Sequence, residues 1–159
     1  MSTSLYCYGE QLIKPNTYKF GGRFFHMTNY NIHAWFANVR NYSAIQKCPH
    51  TIELNSLPND CSQCLIDIYN DFDDNLSYLF QLNVTDLLNY DYTQIIEDRR
   101  INNTYDQQQL CKLKYGSSDT YPIGLGVKQT LHEYLNKPYF NELDLLTKKN
   151  IDRLIFWFD

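Results

Sequence analysis

Three sets of residues carry groups that could do chemistry. Arg40, Tyr42, Arg99 and Arg100 offer forked guanidinium donors beside a phenol. That combination suits a phosphate, because planar forks bind anionic oxygens two at a time. Cys48-Pro49-His50 followed by Cys61-Ser62-Gln63-Cys64 offers three thiols and an imidazole, the donor types of a tetrahedral zinc site. Its first arm is Cys-x-His rather than the commoner pair of spaced cysteines. Cys61, Cys64, Leu65, Ile68 and Phe72 also share one helical stripe, which makes the thiols small core residues in the competing reading. A redox role for Cys61 and Cys64 lacks the βαβ context of such motifs.

The third set is histidine-based. His26-Met27-Thr28 is similar to one half of the paired motif of two-histidine phosphoesterases, but His132 is followed by Glu133 and Tyr134. One histidine does not supply both acid and base. A zinc deaminase needs His-x-Glu before its cysteines, and Glu53 lies one position too far from His50. Gly124 and Gly126 precede a helix start without the third glycine of a dinucleotide fingerprint, so they read as turn or bulge formers. No catalytic set is complete, and no cofactor is implied.

The elements that must position these groups follow from periodicity. Asn29–Tyr42 reads as an amphipathic helix: Ile32, Trp35, Phe36 and Val39 form its apolar stripe, Asn29 or Asn31 caps its start, and His33 and Arg40 share another face. In the bland reading His33 is a structural histidine and Arg40 complements the helix dipole. Residues 5–8 form a strand. Gly21-Gly22 turns a hairpin between Tyr18–Phe20 and Arg23–His26. Residues 46–60 read as a loop, with Asn59 or Asp60 capping a helix to about Phe72. A strand over Leu76–Leu82 precedes a short helix capped by Asn83. Glu97-Asp98-Arg99-Arg100 reads as a solvated face within the polar stretch 89–109. Strands over 110–115 and 121–127 flank a turn at Gly116–Asp119. Thr130 to Glu133 is a capping box, and Pro138 interrupts the helix that follows or begins a second one. Leu154–Phe158 is continuously apolar, the pattern of a strand covered on both faces. The expected class is α+β: a mixed or antiparallel sheet with helices packed against it and a central C-terminal strand.

Composition bounds the function. The 159 residues suit one domain spanning 1–159, able to bury about 70% of the surface its unfolded chain exposes. Aromatic residues make up 16% of the chain, and 14 of them are tyrosines, which build both cores and polar-lined pockets. The net charge of −4 argues against duplex nucleic acid as a partner. There is neither a leader pattern nor a run approaching the length of a membrane span, so a cytoplasmic protein is expected. Sequons at Asn41, Asn75, Asn83 and Asn102 then carry no meaning for glycosylation. Five cysteines in a reducing compartment do not suggest a disulfide framework.

Several ordered segments resemble a family of small phage-encoded proteins. They are Asn29-Tyr30 with Ala34, Ala37, Val39 and Arg40; Leu57-Pro58 with Asp60; Ser77-Tyr78-Leu79; Leu87-Leu88 with Tyr90-Asp91-Tyr92; and Asp152–Asp159. The chain departs from the pattern at Thr28, where the pattern has Arg, and lacks an Asn after Asp159. The resemblance implies viral origin and action in the host cytoplasm. Together with the arginines and tyrosines it points to a non-enzymatic phage accessory protein that counters host defence by sequestering a small signalling nucleotide. Arg40, Tyr42, Arg99 and Arg100 are the expected contacts. The alternatives are an inhibitor that binds a host protein through an aromatic surface, and a small phosphodiesterase or zinc hydrolase. A homo-oligomer fits the aromatic excess and apolar last strand.

Overall fold

The computed structural model describes residues 3–72, 78–99 and 126–159. Its strands are β1 (Leu5–Lys14), β2 (Thr17–Phe24), β3 (Ile52–Leu54), β4 (Leu79–Asn83), β5 (Ile95–Asp98), β6 (Val127–Thr130) and β7 (Arg153–Phe158). Its helices are α1 (Tyr30–Ala37), α2 (Gln63–Asn70), α3 (Val84–Leu88) and α4 (Leu131–Lys148). The class is α+β. The chain divides into two compact units: Met1–Thr28, His50–Tyr90 and Pro138–Asp159 form the first, and Asn29–Pro49 with Asp91–Lys137 the second. Among the described residues no helix is long and apolar enough to cross a membrane.

The first unit is built on a five-stranded sheet in the order β2-β1-β7-β4-β3, antiparallel at each described pairing. The C-terminal strand β7 is therefore central, and all six of its residues are buried. Side chains alternate across the pleat. Tyr6, Trp157 and Leu79 lie opposite one another, as do Tyr8 and Ile155, so they share one face. Helix α2 covers that face through Leu65, Ile68 and Tyr69, with Phe72 just beyond its end. Those four positions are the i, i+3, i+4, i+7 stripe of an amphipathic helix. Trp157 is the centre of the layer: Tyr8, Tyr69 and Phe72 ring centroids each lie 5.2 Å from it. On the opposite face Phe80 stacks on Phe156 at 5.3 Å. The later part of α4 covers this side near β2, where Tyr139 meets Phe25 and Glu142 accepts the Phe25 N–H.

The β1–β2 hairpin corrects the expected turn. The chain reverses at Pro15-Asn16, with Asn16 in the left-handed region (φ 61°), and Gly21 and Gly22 lie inside β2. Gly-Gly reads as a turn, yet here the glycines allow close approach. A Cβ on Gly21 would overlap the Ile151 side chain, and Gly22 (φ 113°) accompanies the register shift at Gly9/Glu10. Three further boundaries differ from the sequence reading. β3 occupies part of the expected loop over 46–60. Ser62, not Asn59 or Asp60, caps α2 by accepting the Leu65 N–H. Asn83 precedes α3 as expected but makes no side-chain cap bond.

The second unit contains α1, the loop after it, the two-stranded sheet β5-β6 and the first turn of α4. Asn29 caps α1 as expected, accepting from Asn31 and Ile32 N–H groups. The helix stops five residues short of the expected end. Asn38 takes the left-handed conformation (φ 61°) and its N–H closes on Ala34 and His33 carbonyls. Ile32, Trp35 and Phe36 are buried, so the stripe is real. His33 is also fully buried, and Arg40 (φ 50°) lies beyond the helix, so the two share no helical face. At α4 the Glu133 N–H bonds the Thr130 hydroxyl, one half of the expected box, while the Glu133 carboxylate accepts a hydrogen bond from the same hydroxyl. The break in α4 falls at Asn136 (φ 65°, ψ 179°), two residues before Pro138, so Pro138 lies in the first turn of a second helical segment, where its missing N–H costs little. The expected strand over 110–115 and the turn at Gly116–Asp119 lie outside the described residues, as does most of 121–127.

Candidate functional site

The hairpin of the first unit carries a cleft of about 370 Å³ at the start of β1 and the end of β2. Ser4, Leu5, Tyr6, Arg23, His26, Met27 and Thr28 line it. Sheet register explains the assembly. Arg23 pairs with Tyr8, so its side chain shares a face with Tyr8 and, one pleat away, Tyr6. The guanidinium therefore lies over the Tyr6 ring, 4.8 Å from its centroid, and Nη2 donates to the Leu5 carbonyl at 3.2 Å. Such a contact holds the cation against the ring.

Charge is what sets the cleft apart. Among the described residues Arg23 has no carboxylate within ion-pair distance and no hydrogen bond beyond that to Leu5. Its Nε is buried without a partner. The cleft wall adds an imidazole and two hydroxyls, from His26, Thr28 and Ser4, and no carboxylate. The wall can thus give hydrogen bonds to an acceptor-rich anion. Its volume lies at the lower end of small-molecule sites, large enough for an organic body beside the anionic group. Beneath the hairpin, burial and then the Glu142 carboxylate push the Cys7 thiol well up, against the opposing pull of Arg23. Cys7 is therefore a neutral core group.

Arg153 shows what a neutralised arginine looks like on the same sheet. It is buried, as is Glu10 opposite it on β1. Glu10 Oε1 accepts from Arg153 Nε at 3.1 Å and Nη2 at 2.9 Å, while Glu10 Oε2 accepts the Ser62 N–H at 2.8 Å. Asp60 Oδ1 lies 2.9 Å from the same Nη2 but off the N–H direction, an ion pair more than a hydrogen bond. The Tyr18 ring covers the guanidinium at 3.5 Å. Cys61 sits against this network, and burial followed by the Glu10 charge pushes its thiol up to about 12. These charges are fully engaged and fix the 58–62 loop to the sheet.

The residues chosen from sequence gather in part. Arg40 Nη1 donates to the Tyr42 hydroxyl at 3.0 Å, and that bond raises the Arg40 pKa. Tyr30 meets Tyr42 edge-on at 6.0 Å. Asn41 ties the loop by bonding Asn38 and both backbone groups of Ile45. Arg99 joins through its backbone, whose N–H bonds the Ser43 carbonyl, next to Tyr42. Its side chain is 44% exposed and 3.8 Å from Glu97. Arg100 lies outside the described residues. Among the described residues no three His, Cys, Asp or Glu side chains are grouped as a metal would need. Cys64 is exposed and Cys48 buried, so Cys64 is not the core residue its spacing suggested.

The sequence reading passed over Arg23, Ser4 and Tyr6. The signal was present: an arginine inside an aromatic hairpin, three residues before His26-Met27-Thr28. Reading Gly21-Gly22 as the turn puts Arg23 at the start of a second strand, whereas it lies next to last in β2. Comparison with protein families, with curated proteins and with solved structures yields no match for this chain.

Proposed function

We propose that the protein binds a small phosphate-bearing ligand without transforming it, with the Arg23 cleft as the site. The observation that carries this reading is a partly buried arginine, resting over the Tyr6 ring, with no carboxylate partner among the described residues. A cation so placed gains from a mobile counter-ion, since charge-assisted bonds to phosphate are about twice as strong as neutral ones. Arg23 holds the anion, and the Ser4 and Thr28 hydroxyls bond its remaining oxygens. The imidazole of His26 closes the wall. A single imidazole in the wall, with the neighbouring Asp159 carboxylate already accepting from Ser4 and Tyr6, supports holding over hydrolysis, which needs a separate acid and base. The biological form of this reading is a phage protein that sequesters a host signalling nucleotide in the host cytoplasm. It draws on the ordered phage-like segments from Asn29 to Asp159.

A second reading puts the ligand on the second unit, favoured by the Arg40–Tyr42 bond and the backbone tie between Arg99 and Ser43. One experiment separates them. The protein is equilibrated with adenosine monophosphate and with a cyclic dinucleotide, washed, denatured, and the released material chromatographed. Intact nucleotide is expected, and R23A should retain about 10- to 100-fold less, the loss of one or two bonds to a charged group. Retention by R23A with loss in R40A or R99A moves the site to the second unit. Recovery of a cleaved product overturns the binding reading.

A further inference from the structure

Resting on the cleft reading, we infer that Asp159 is a positioning residue for the Arg23 site. It stands one residue past β7, opposite Ser4, and continues the β7–β1 ladder: its N–H bonds the Ser4 carbonyl at 3.3 Å. Its carboxylate reaches back to the cleft wall. Oδ1 accepts the Ser4 N–H at 2.6 Å, and Oδ2 accepts the Tyr6 hydroxyl at 3.3 Å. Ser4 and Tyr6 both line the cleft, and Leu5 between them holds Arg23 Nη2. One carboxylate thus pins both ends of a three-residue wall.

The arrangement has a specific consequence. Tyr6 is the surface on which the guanidinium rests, packed edge-on against Phe72 at 4.6 Å and parallel to Trp157 at 6.3 Å. Those neighbours fix the ring plane. The hydroxyl at the ring's outer end is fixed by Asp159. Strand ends fray when nothing ties them. Without the carboxylate, Ser4 and Tyr6 regain freedom that a ligand must then remove, and that ordering lowers affinity. Asp159 also places a negative charge near an anion site, a cost to affinity that works against its ordering. The two effects separate by substitution. Asp159→Asn keeps an oxygen for the Ser4 N–H and an amide for the Tyr6 hydroxyl, and removes the charge. Asp159→Ala removes the pins as well.

The test measures the dissociation constant of adenosine monophosphate for the full chain, with inorganic phosphate as a second probe, well below the melting temperature. D159A should weaken binding about fivefold to tenfold, the size of one or two lost orderings at a site. D159N should bind as tightly as the wild type or more tightly. Y6F keeps the ring, breaks the Asp159 bond, and should weaken binding less than D159A. A purely structural role would lower the melting temperature of D159A and leave its dissociation constant unchanged, which overturns the inference. Equal weakening in D159N and D159A also overturns it, because charge and not position would then be at work. Wild-type affinity in R23A is a different result: it removes the cleft reading itself.

Discussion

Glu10→Gln is nearly isosteric and should nonetheless be among the costliest single changes in the first unit. The carboxylate accepts on both oxygens, from Arg153 on one and from the Ser62 N–H on the other. A glutamine amide has one acceptor and one donor. Whichever way it turns, an NH₂ group faces a donor, either the guanidinium or Ser62. One charge-assisted contact is lost, about 1.5–3 kcal/mol, and one buried donor is left unpaired, about 1–3 kcal/mol. Asp60 remains beside Arg153, with its side chain 28% exposed, and compensates part of the charge. The expected loss is about 3 kcal/mol, at the low end for breaking a buried pair. For a chain of this size that is a fall of roughly 6–12 °C in melting temperature. Urea titration of wild type, E10M, R153M and the double variant E10M/R153M gives the cycle, with E10Q measured beside them. The double variant should be less destabilised than the sum of its singles by more than about 1 kcal/mol, because neither charge is left stranded. E10Q within about 0.5 kcal/mol of wild type, at unchanged denaturant dependence, would refute the claim that both oxygens matter.

Two further outcomes follow from the same unit. The Cys61 thiol, pushed up to about 12 by burial and Glu10, is about one ten-thousandth thiolate at pH 8, so iodoacetamide should label exposed Cys64 well before Cys61 by mass spectrometry. Its folded pKa lies above the unfolded value, so the associated stability is present below pH 9 and is lost as pH rises from about 9 toward 12. C61S should show a shallower alkaline loss than wild type. Gly9→Ala puts a Cβ 2.6 Å from Phe24 Cε2 and 2.8 Å from Ile151 Cγ2, and should cost about 1–3 kcal/mol by denaturation; a neutral result would mean the hairpin relaxes freely.

The sequence was most legible where one physical cause dominates. Leu154 to Phe158 is apolar without interruption, short and rich in aromatics, the pattern of a strand buried on both faces, so the central strand is legible directly. The Asn29 cap and the stripe Ile32, Trp35, Phe36 were equally direct, since each needs only local geometry. The end of that helix was not. Val39 completes an i+7 pattern, but Asn38 takes the left-handed conformation and Asn41 binds the chain into a loop, a tertiary choice that periodicity does not register. The cysteine stripe failed similarly. Ser62 begins α2 after Cys61, so Cys61 is not in the helix at all, and the stripe that meets the sheet is Leu65, Ile68, Tyr69 and Phe72, one position round from Cys64, which stays in solvent. The Arg23 cleft was legible only in part, because register and not spacing brings Tyr6, Leu5 and Arg23 together.

Arg23 and Arg153 make the strongest argument about function because they differ in so little else. Both lie in strands of one sheet, and both guanidiniums rest over a tyrosine, Tyr6 and Tyr18. Arg153 is buried, and two carboxylates answer its charge. A fold that merely tolerated a buried cation would need this, since an unanswered buried charge costs several kcal/mol. Arg23 is kept partly open to solvent, given a carbonyl in place of a carboxylate, and surrounded by further donors. Asp159 lies close by, yet its carboxylate is turned onto Ser4 and Tyr6. That carboxylate is thus committed to the strand rather than to Arg23. Under the proposed reading a counter-ion from solution completes that arrangement, the same chemistry that the arginines and tyrosines of the chain suggest at other positions.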